Sequence, residues 1–164
     1  MEKSLRSKYR LRKISQDIKP NKLLIEDIEK LKEIYISFWG TVDLYTDKEF
    51  KRLIIQNLSY SYKIDNEVIA YCLIDYKKRE NIAEIYLLCV KKEYQGYHLG
   101  KTLLSFCLDN CCKSNIKNFC LHVSTENKLA CNLYKKLGFT VKKFIKDYYH
   151  DEKDNDAYYM ILNI

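Results

Sequence analysis

The chain has 164 residues, 47% hydrophobic and 31% charged, with one proline, four glycines and a formal net charge of +7. That is the length of one domain with an ordinary globular composition, which argues against linker-like, collagen-like or disordered architecture. No apolar run reaches the roughly 18 residues of a membrane-spanning helix, and residues 1–13 lack the apolar core of a secretory signal.

A single domain over residues 1–164 is therefore expected, with 1–7 a flexible basic arm. Six of the net charges lie in residues 1–22, where eight Lys and Arg stand against Glu2 and Asp17. Such a stretch reads either as an arm for RNA, ribosomal RNA included, or an acidic peptide, or as a solvated edge strand whose cations discourage sheet-to-sheet pairing. No aromatic-interleaved RNA motif accompanies it, so the second reading is preferred and no specific nucleic acid is expected. Seven cysteines form no CxxC pair and three histidines are scattered. The expectation is reduced thiols in a cytoplasmic protein, with the nucleus the second possibility, and no metal.

In chain order, residues 8–15 alternate like a strand. Residues 21–39 place Leu24, Ile25, Ile28, Leu31, Ile34, Tyr35 and Phe38 three and four apart, which predicts an amphipathic helix starting at Pro20-Asn21 and closed by Gly40. Gly40 to Tyr45 is a loop, and Thr46-Asp47 caps a second helix through about Asn57. Residues 58–64 alternate, Asp65-Asn66 turns the chain, and 67–76 form the other arm of a hairpin. A polar turn at Lys77–Asn81 leads to a strand at Ile82–Val90. The helix Leu99–Lys113 is amphipathic through Leu103, Leu104, Phe106, Cys107 and Cys111. Residues 117–123 read as a strand, Asn127–Leu137 as a helix closed by Gly138, and 139–148 and 157–163 as two last strands. The fold class is α/β (α+β), with a mixed central sheet of about seven strands flanked by about four helices.

Between the strand ending at Val90 and the helix starting at Leu99 lies a polar loop with Gly96 and Gly100. The first amides of a helix have no internal partner and sit at the positive end of its dipole. With glycines to admit a ligand, such a terminus is an anion site. Gly96 to Thr102 comes near a nucleotide P-loop, but only three residues separate the glycines, and the loop follows a run of antiparallel strands instead of an early strand.

Gln95-Gly96-Tyr97-His98-Leu99-Gly100 also matches Gln/Arg-x-x-Gly-x-Gly/Ala except at His98. Further on stand His122-Val123, then Asn127-x-x-Ala130-x-x-x-Tyr134-x-x-x-Gly138-Phe139, then Asp147-Tyr148-Tyr149 and Asp156-Ala157. Over about residues 40–164 the chain thereby resembles the GNAT acetyltransferase superfamily, in its N-terminal acetyltransferase branch. That branch holds bacterial ribosomal-protein alanine acetyltransferases and catalytic subunits of eukaryotic N-terminal acetyltransferase E. The resemblance implies acetyl-CoA as cofactor. Leu88, Cys89 and Val90 would pair with its pantetheine arm, and the amides of Gln95, Gly96, Tyr97, His98, Leu99, Gly100 and Lys101 with its pyrophosphate. Asn127 would hydrogen-bond the pantetheine, and Tyr134 would stand over the thioester sulfur. Tyr148 and Tyr149 would wall a peptide groove opposite Val42, Leu44 and Tyr45. Protein N-termini would be the substrate, and acetyltransferase subunits or the ribosome possible partners, without a membrane.

Acetyl transfer from a thioester needs a neutral amine, a stabilised oxyanion and a donor for the departing thiolate. Deprotonating a peptide α-amine at pH 7 costs only about 1 kcal/mol, against about 4.6 kcal/mol for a lysine. A modest base suffices for the first, and histidine's ordinary pKa near 6.5 suits His122 to it. Glu84 is the second candidate base: it resembles the glutamate of GNAT histone acetyltransferases, where this branch carries a tyrosine near Ala83–Glu84. The residue is then either a buried glutamate with a raised pKa or one facing solvent. Where the branch has Phe-Pro-Val this chain has Thr41, Val42 and Asp43, so the preferred peptide stays open. Lysine or small-amine acetylation, and a non-catalytic acetyl-CoA-binding subunit, are the alternatives.

Overall fold

The structure is a computed structural model, and it describes residues 18–40, 46–149 and 155–164. The strand expected at 8–15, the basic arm 1–7 and the loop residues Thr41, Val42, Asp43, Leu44 and Tyr45 lie outside these. Strands β1 (Asn21–Lys22), β2 (Tyr60–Ile64), β3 (Glu67–Lys77), β4 (Ile82–Val90), β5 (Asn118–Ser124), β6 (Thr140–Ile145) and β7 (Ala157–Asn163) alternate with helices α1 (Ile28–Trp39), α2 (Asp47–Ile54), α3 (Leu99–Lys113) and α4 (Lys128–Lys136). The strands form one sheet in the order β1-β2-β3-β4-β5-β7-β6. β4 and β5 are parallel, while β1–β2, β2–β3, β5–β7 and β6–β7 are antiparallel. This is the mixed α/β architecture the periodicities predict. Among the described residues no helix is long and apolar enough to cross a membrane.

Contacts divide the chain into two compact units. The first holds the described residues up to Leu73 together with Leu87–Cys107. Here α1 buries Ile28, Leu31, Ile34 and Tyr35, and β3 contributes the buried run Val68–Leu73. Such a continuous apolar run is what a strand covered on both faces requires. The expected start of the first helix is corrected. Asn21 and Lys22 pair with Ser61 and Tyr60, and α1 begins at Ile28. The cause is Asp27: its carboxylate accepts from the Leu24 amide at 3.0 Å and pairs with Lys63 Nζ at 2.7 and 2.8 Å. Those bonds cap a separate 3-10 turn over Ile25–Asp27 behind an extended Leu24, and they leave Leu24 and Ile25 about half exposed, at 49% and 50%, instead of on the buried stripe. Gly40 closes α1 with φ 72°, and Thr46 caps α2 by accepting from the Glu49 amide. α2 stops at Ile54, three residues short of the expected Asn57, which turns out with φ 59°.

The second unit comprises Ile74–Tyr86 and Leu108–Ile164. β5 pairs with β7 along its length, from Asn118↔Asn163 to Ser124↔Ala157. Its pairing with β4 stops after Glu84↔Cys120, although both strands continue. The strand expected over 139–148 ends at Ile145, because Asp147 turns the chain with φ 51° and its amide donates to Asp156 Oδ1. All seven cysteines are free thiols, six of them buried.

Gly138, after α4, has φ 93°, and a Cβ built there would lie 3.3 Å from Leu162 Cδ1. Gly138→Ala is expected to lower stability by about 1–2 kcal/mol, the ordinary cost of a left-handed non-glycine residue. Urea unfolding checks this as a lower midpoint with an unchanged slope.

Candidate active site

In the second unit, strand alternation turns Glu84 and Tyr86 of β4 to one face and Ala83 and Ile85 to the other. Because Glu84 is in register with Cys120 and His122 with Tyr159, these four share that face. Glu84 is only 9% exposed. Its Oε1 lies 3.1 Å from His122 Nδ1 and its Oε2 2.7 Å from Lys77 Nζ. Burial pushes the Glu84 carboxyl up, but the hydrogen bonds from His122 and Lys77 outweigh it and hold the group below the ordinary carboxylate range. Lys77 is correspondingly raised by its bond to Glu84. Of the two expectations for Glu84, the solvent-facing side chain is corrected; the buried one holds, but its pKa falls instead of rising.

An ionised carboxylate only accepts hydrogen bonds, so the proton between it and His122 belongs to Nδ1. Nε2 then carries the lone pair, and among the described residues it has no hydrogen-bond partner. Tyr148 stacks on the imidazole, with centroids 4.5 Å apart and planes 8° from parallel, and Tyr159 packs against it at 5.0 Å and 36°. Tyr149 meets Tyr148 edge-on at 4.9 Å. Burial raises the Tyr148 phenol and pushes Tyr149 and Tyr159 up to about 12. These rings are neutral walls at physiological pH. Burial likewise raises the Cys120 and Cys131 thiols, so neither is a thiolate nucleophile.

Asn127 caps α4, its Oδ1 accepting from the Ala130 amide at 3.0 Å, which leaves the side-chain NH2 as donor. Tyr134, on α4, is 8% exposed and packs edge-on against Phe139. The structure therefore brings Glu84, His122, Tyr148 and Tyr149 together. Lys77 and Tyr159 join them, two residues that sequence reasoning missed. Lys77 reads there as part of a polar turn, and only its place as the last residue of β3 hints otherwise. Tyr159 is found only by counting the β5–β7 register.

In the first unit, β4 runs through Leu88, Cys89 and Val90 into the loop. The Lys91 amide donates to Ile69 O at 2.9 Å, and Gln95 Nε2 donates to Val90 O at 3.0 Å. Cys89 is buried, which pushes its thiol up to about 12. Gly96 has φ 81° and His98 φ 62°. The residue that stands in place of glycine thus does adopt the left-handed backbone glycine favours; histidine is among the side chains that tolerate it, and this one is exposed. Leu99 is buried and anchors the start of α3, while Thr102 bonds to His98 O through its amide and hydroxyl. The amides of Leu99, Gly100 and Lys101 belong to the first turn, which has no internal acceptors for them. Tyr97 is part-exposed beside them. Among the described residues no cluster of three or more His, Cys, Asp or Glu is placed to hold a metal.

This strand–loop–helix and the Glu84–His122 pair lie within a region, residues 26–139, that matches the family model "Acetyltransferase (GNAT) family". The chain belongs to that family and is an acetyl-CoA-dependent acetyltransferase. It is 29% identical over 143 residues to a Bacillus subtilis protein named "Putative [ribosomal protein bS18]-alanine N-acetyltransferase", covering 85% of this chain and 91% of that one. Arabidopsis thaliana Naa50, solved with the bisubstrate analogue CoA-Ac-MVNAL, superposes with a TM-score of 0.78 at 24% identity over 90% of this chain and 99% of that one. PaiA N-acetyltransferase from Thermoplasma acidophilum, solved with coenzyme A, gives 0.71 at 25% identity over 90% and 98%.

The lowered Glu84 pKa carries a pH signature. Its folded value lies below the unfolded one, near about 4.3. The stability it contributes is complete above that pH and is lost as pH falls through the folded value. The stability gap between the native chain and Glu84→Gln, from urea unfolding at steps between pH 7 and 3, is expected to narrow below about pH 4.3.

Proposed function

We propose that this acetyltransferase acts on the α-amine of protein N-termini, by direct attack on the thioester of acetyl-CoA in a ternary complex. The observation that carries the reading is the His122 ring: Nδ1 is committed to an ionised carboxylate and Nε2 is left with a free lone pair. A base of that kind is matched to a peptide α-amine, whose deprotonation at pH 7 costs about 1 kcal/mol, and poorly matched to lysine at about 4.6 kcal/mol. In this reading the amine nitrogen attacks the thioester carbonyl and loses its proton to Nε2. The N–C bond forms, the C–S bond breaks, and the thiolate is met by the Tyr134 hydroxyl as donor. The raised thiols speak for direct transfer over a cysteine acyl-enzyme.

The first-turn amides of α3 and the loop from Gln95 would hold the pyrophosphate, the backbone at Leu88–Val90 and the Asn127 NH2 the pantetheine, and Tyr148 and Tyr149 the peptide. The relatives favour this substrate class: one carries the name "Putative [ribosomal protein bS18]-alanine N-acetyltransferase", and another was solved with the bisubstrate analogue CoA-Ac-MVNAL. A ribosomal or subunit partner and a reducing, cytoplasmic compartment belong to the same proposal, the latter supported by seven free thiols.

A peptide library with free and blocked N-termini, read by mass, tests it. Free α-amines are expected to gain an acetyl group and blocked peptides with internal lysines to stay unmodified; acetylation confined to lysines, or none with any peptide, overturns the proposal. His122→Ala is expected to lower kcat about 10²- to 10⁴-fold, with KM for acetyl-CoA little changed.

A further inference from the structure

We infer that Lys77 is a positioning residue for His122, acting through the Glu84 carboxylate. The inference deepens the reading above and rests on His122 being the base. Lys77 ends β3, and the chain returns through the turn Lys78–Asn81 to β4, which carries Glu84. The two carboxylate oxygens are divided: Oε2 takes Lys77 Nζ at 2.7 Å, Oε1 faces His122 Nδ1 at 3.1 Å. A terminal carboxylate otherwise turns broadly about its last bond. Lys77 clamps one oxygen and thereby fixes where the other points, and with it the ring orientation and the position of Nε2.

The same ammonium also shares the carboxylate's negative charge. The other ionisable groups on this face are Asp75 of β3, two residues before Lys77, Tyr86 of β4, Cys120 of β5, Tyr159 of β7, Lys143 of β6 in register with Tyr159, and Tyr148 before the last strand, and in the turn Glu80 senses Lys77. Cys120, Tyr148 and Tyr159 are raised and neutral, and the charged group in contact with the imidazole is Glu84, itself paired with Lys77. Lys77 is 42% exposed. An exposed lysine paired only for stability contributes little; one aimed at the buried carboxylate that holds the base has a second consequence.

Lys77→Met frees the carboxylate to favour the protonated imidazole. The acid limb of kcat/KM against pH is expected to move up by about 0.5–1 unit, and plateau kcat to fall about tenfold with KM for peptide and acetyl-CoA unchanged. Lys77→Arg is expected to restore both. Ring-nitrogen NMR of His122 reads the same event without turnover: the native ring is expected to show the Nδ1–H form, and Lys77→Met a mixture of tautomers with a higher titration midpoint. If the limb and the ring titration stay in place while only thermal stability drops, or if KM alone changes, Lys77 is merely structural or substrate-binding and the inference is overturned. A native protein inactive on every free N-terminal peptide sinks the proposed function, while the NMR comparison still decides the role of Lys77.

Discussion

A carboxylate buried in a sheet face is tolerated only when its charge is compensated. At Glu84 the compensation comes from two donors on different strands, and the chemistry of the site follows from that arrangement. Desolvation alone would drive the group toward its neutral acid, which would donate a hydrogen bond to Nδ1, leaving the lone pair there and the N–H on Nε2. The hydrogen bonds reverse that tendency. The ionised state of one side chain thus selects the tautomer of another. The short parallel ladder between β4 and β5 gives the pair its geometry, since it ends with Glu84 opposite Cys120, two residues before His122.

The loop before α3 obeys a different constraint, the unsatisfied amides of a helix start. Its shape is held from outside those amides. Lys91 bonds to β3 and Gln95 back to Val90, Leu99 is buried, and Thr102 grips the His98 carbonyl. None of these bonds consumes the first-turn N–H groups. His98 bears the strain of the left-handed turn, and because its side chain is exposed the strain is not compounded by crowding.

Periodicity made most of the architecture legible: the bounds of β4, α3 and β7 follow from where apolar alternation or helical spacing starts and stops. It misplaced the start of α1, because Leu24 and Ile25 continue the helical spacing while Asp27, paired with Lys63 36 residues away, closes a separate 3-10 turn over Ile25–Asp27 behind an extended Leu24. The candidate site was legible as residue types at family spacing, which brought His122, Glu84, Tyr148 and Tyr149 forward. The direction of the Glu84 shift was not, because it depends on the hydrogen bond with His122 across the strands and on a 2.7 Å contact with a lysine in what reads as a turn. Strand register decides such contacts, and a one-residue slip would turn every member of the cluster to the opposite face.

The tyrosines complete the electrostatic argument. Three phenols surround the His122 ring or its stacking partner, and burial keeps all three protonated. They pack against the imidazole without adding charge, so the charged group the ring touches is the Glu84 carboxylate that Lys77 also holds. In the proposed reaction a substrate ammonium that gives its proton to Nε2 becomes neutral, so the site's net charge is unchanged and the imidazolium formed lies on the ring whose Nδ1 faces the Glu84 carboxylate. What distinguishes the amines the proposal weighs is the cost of that deprotonation at pH 7, about 1 kcal/mol for a chain terminus and about 4.6 kcal/mol for a lysine side chain.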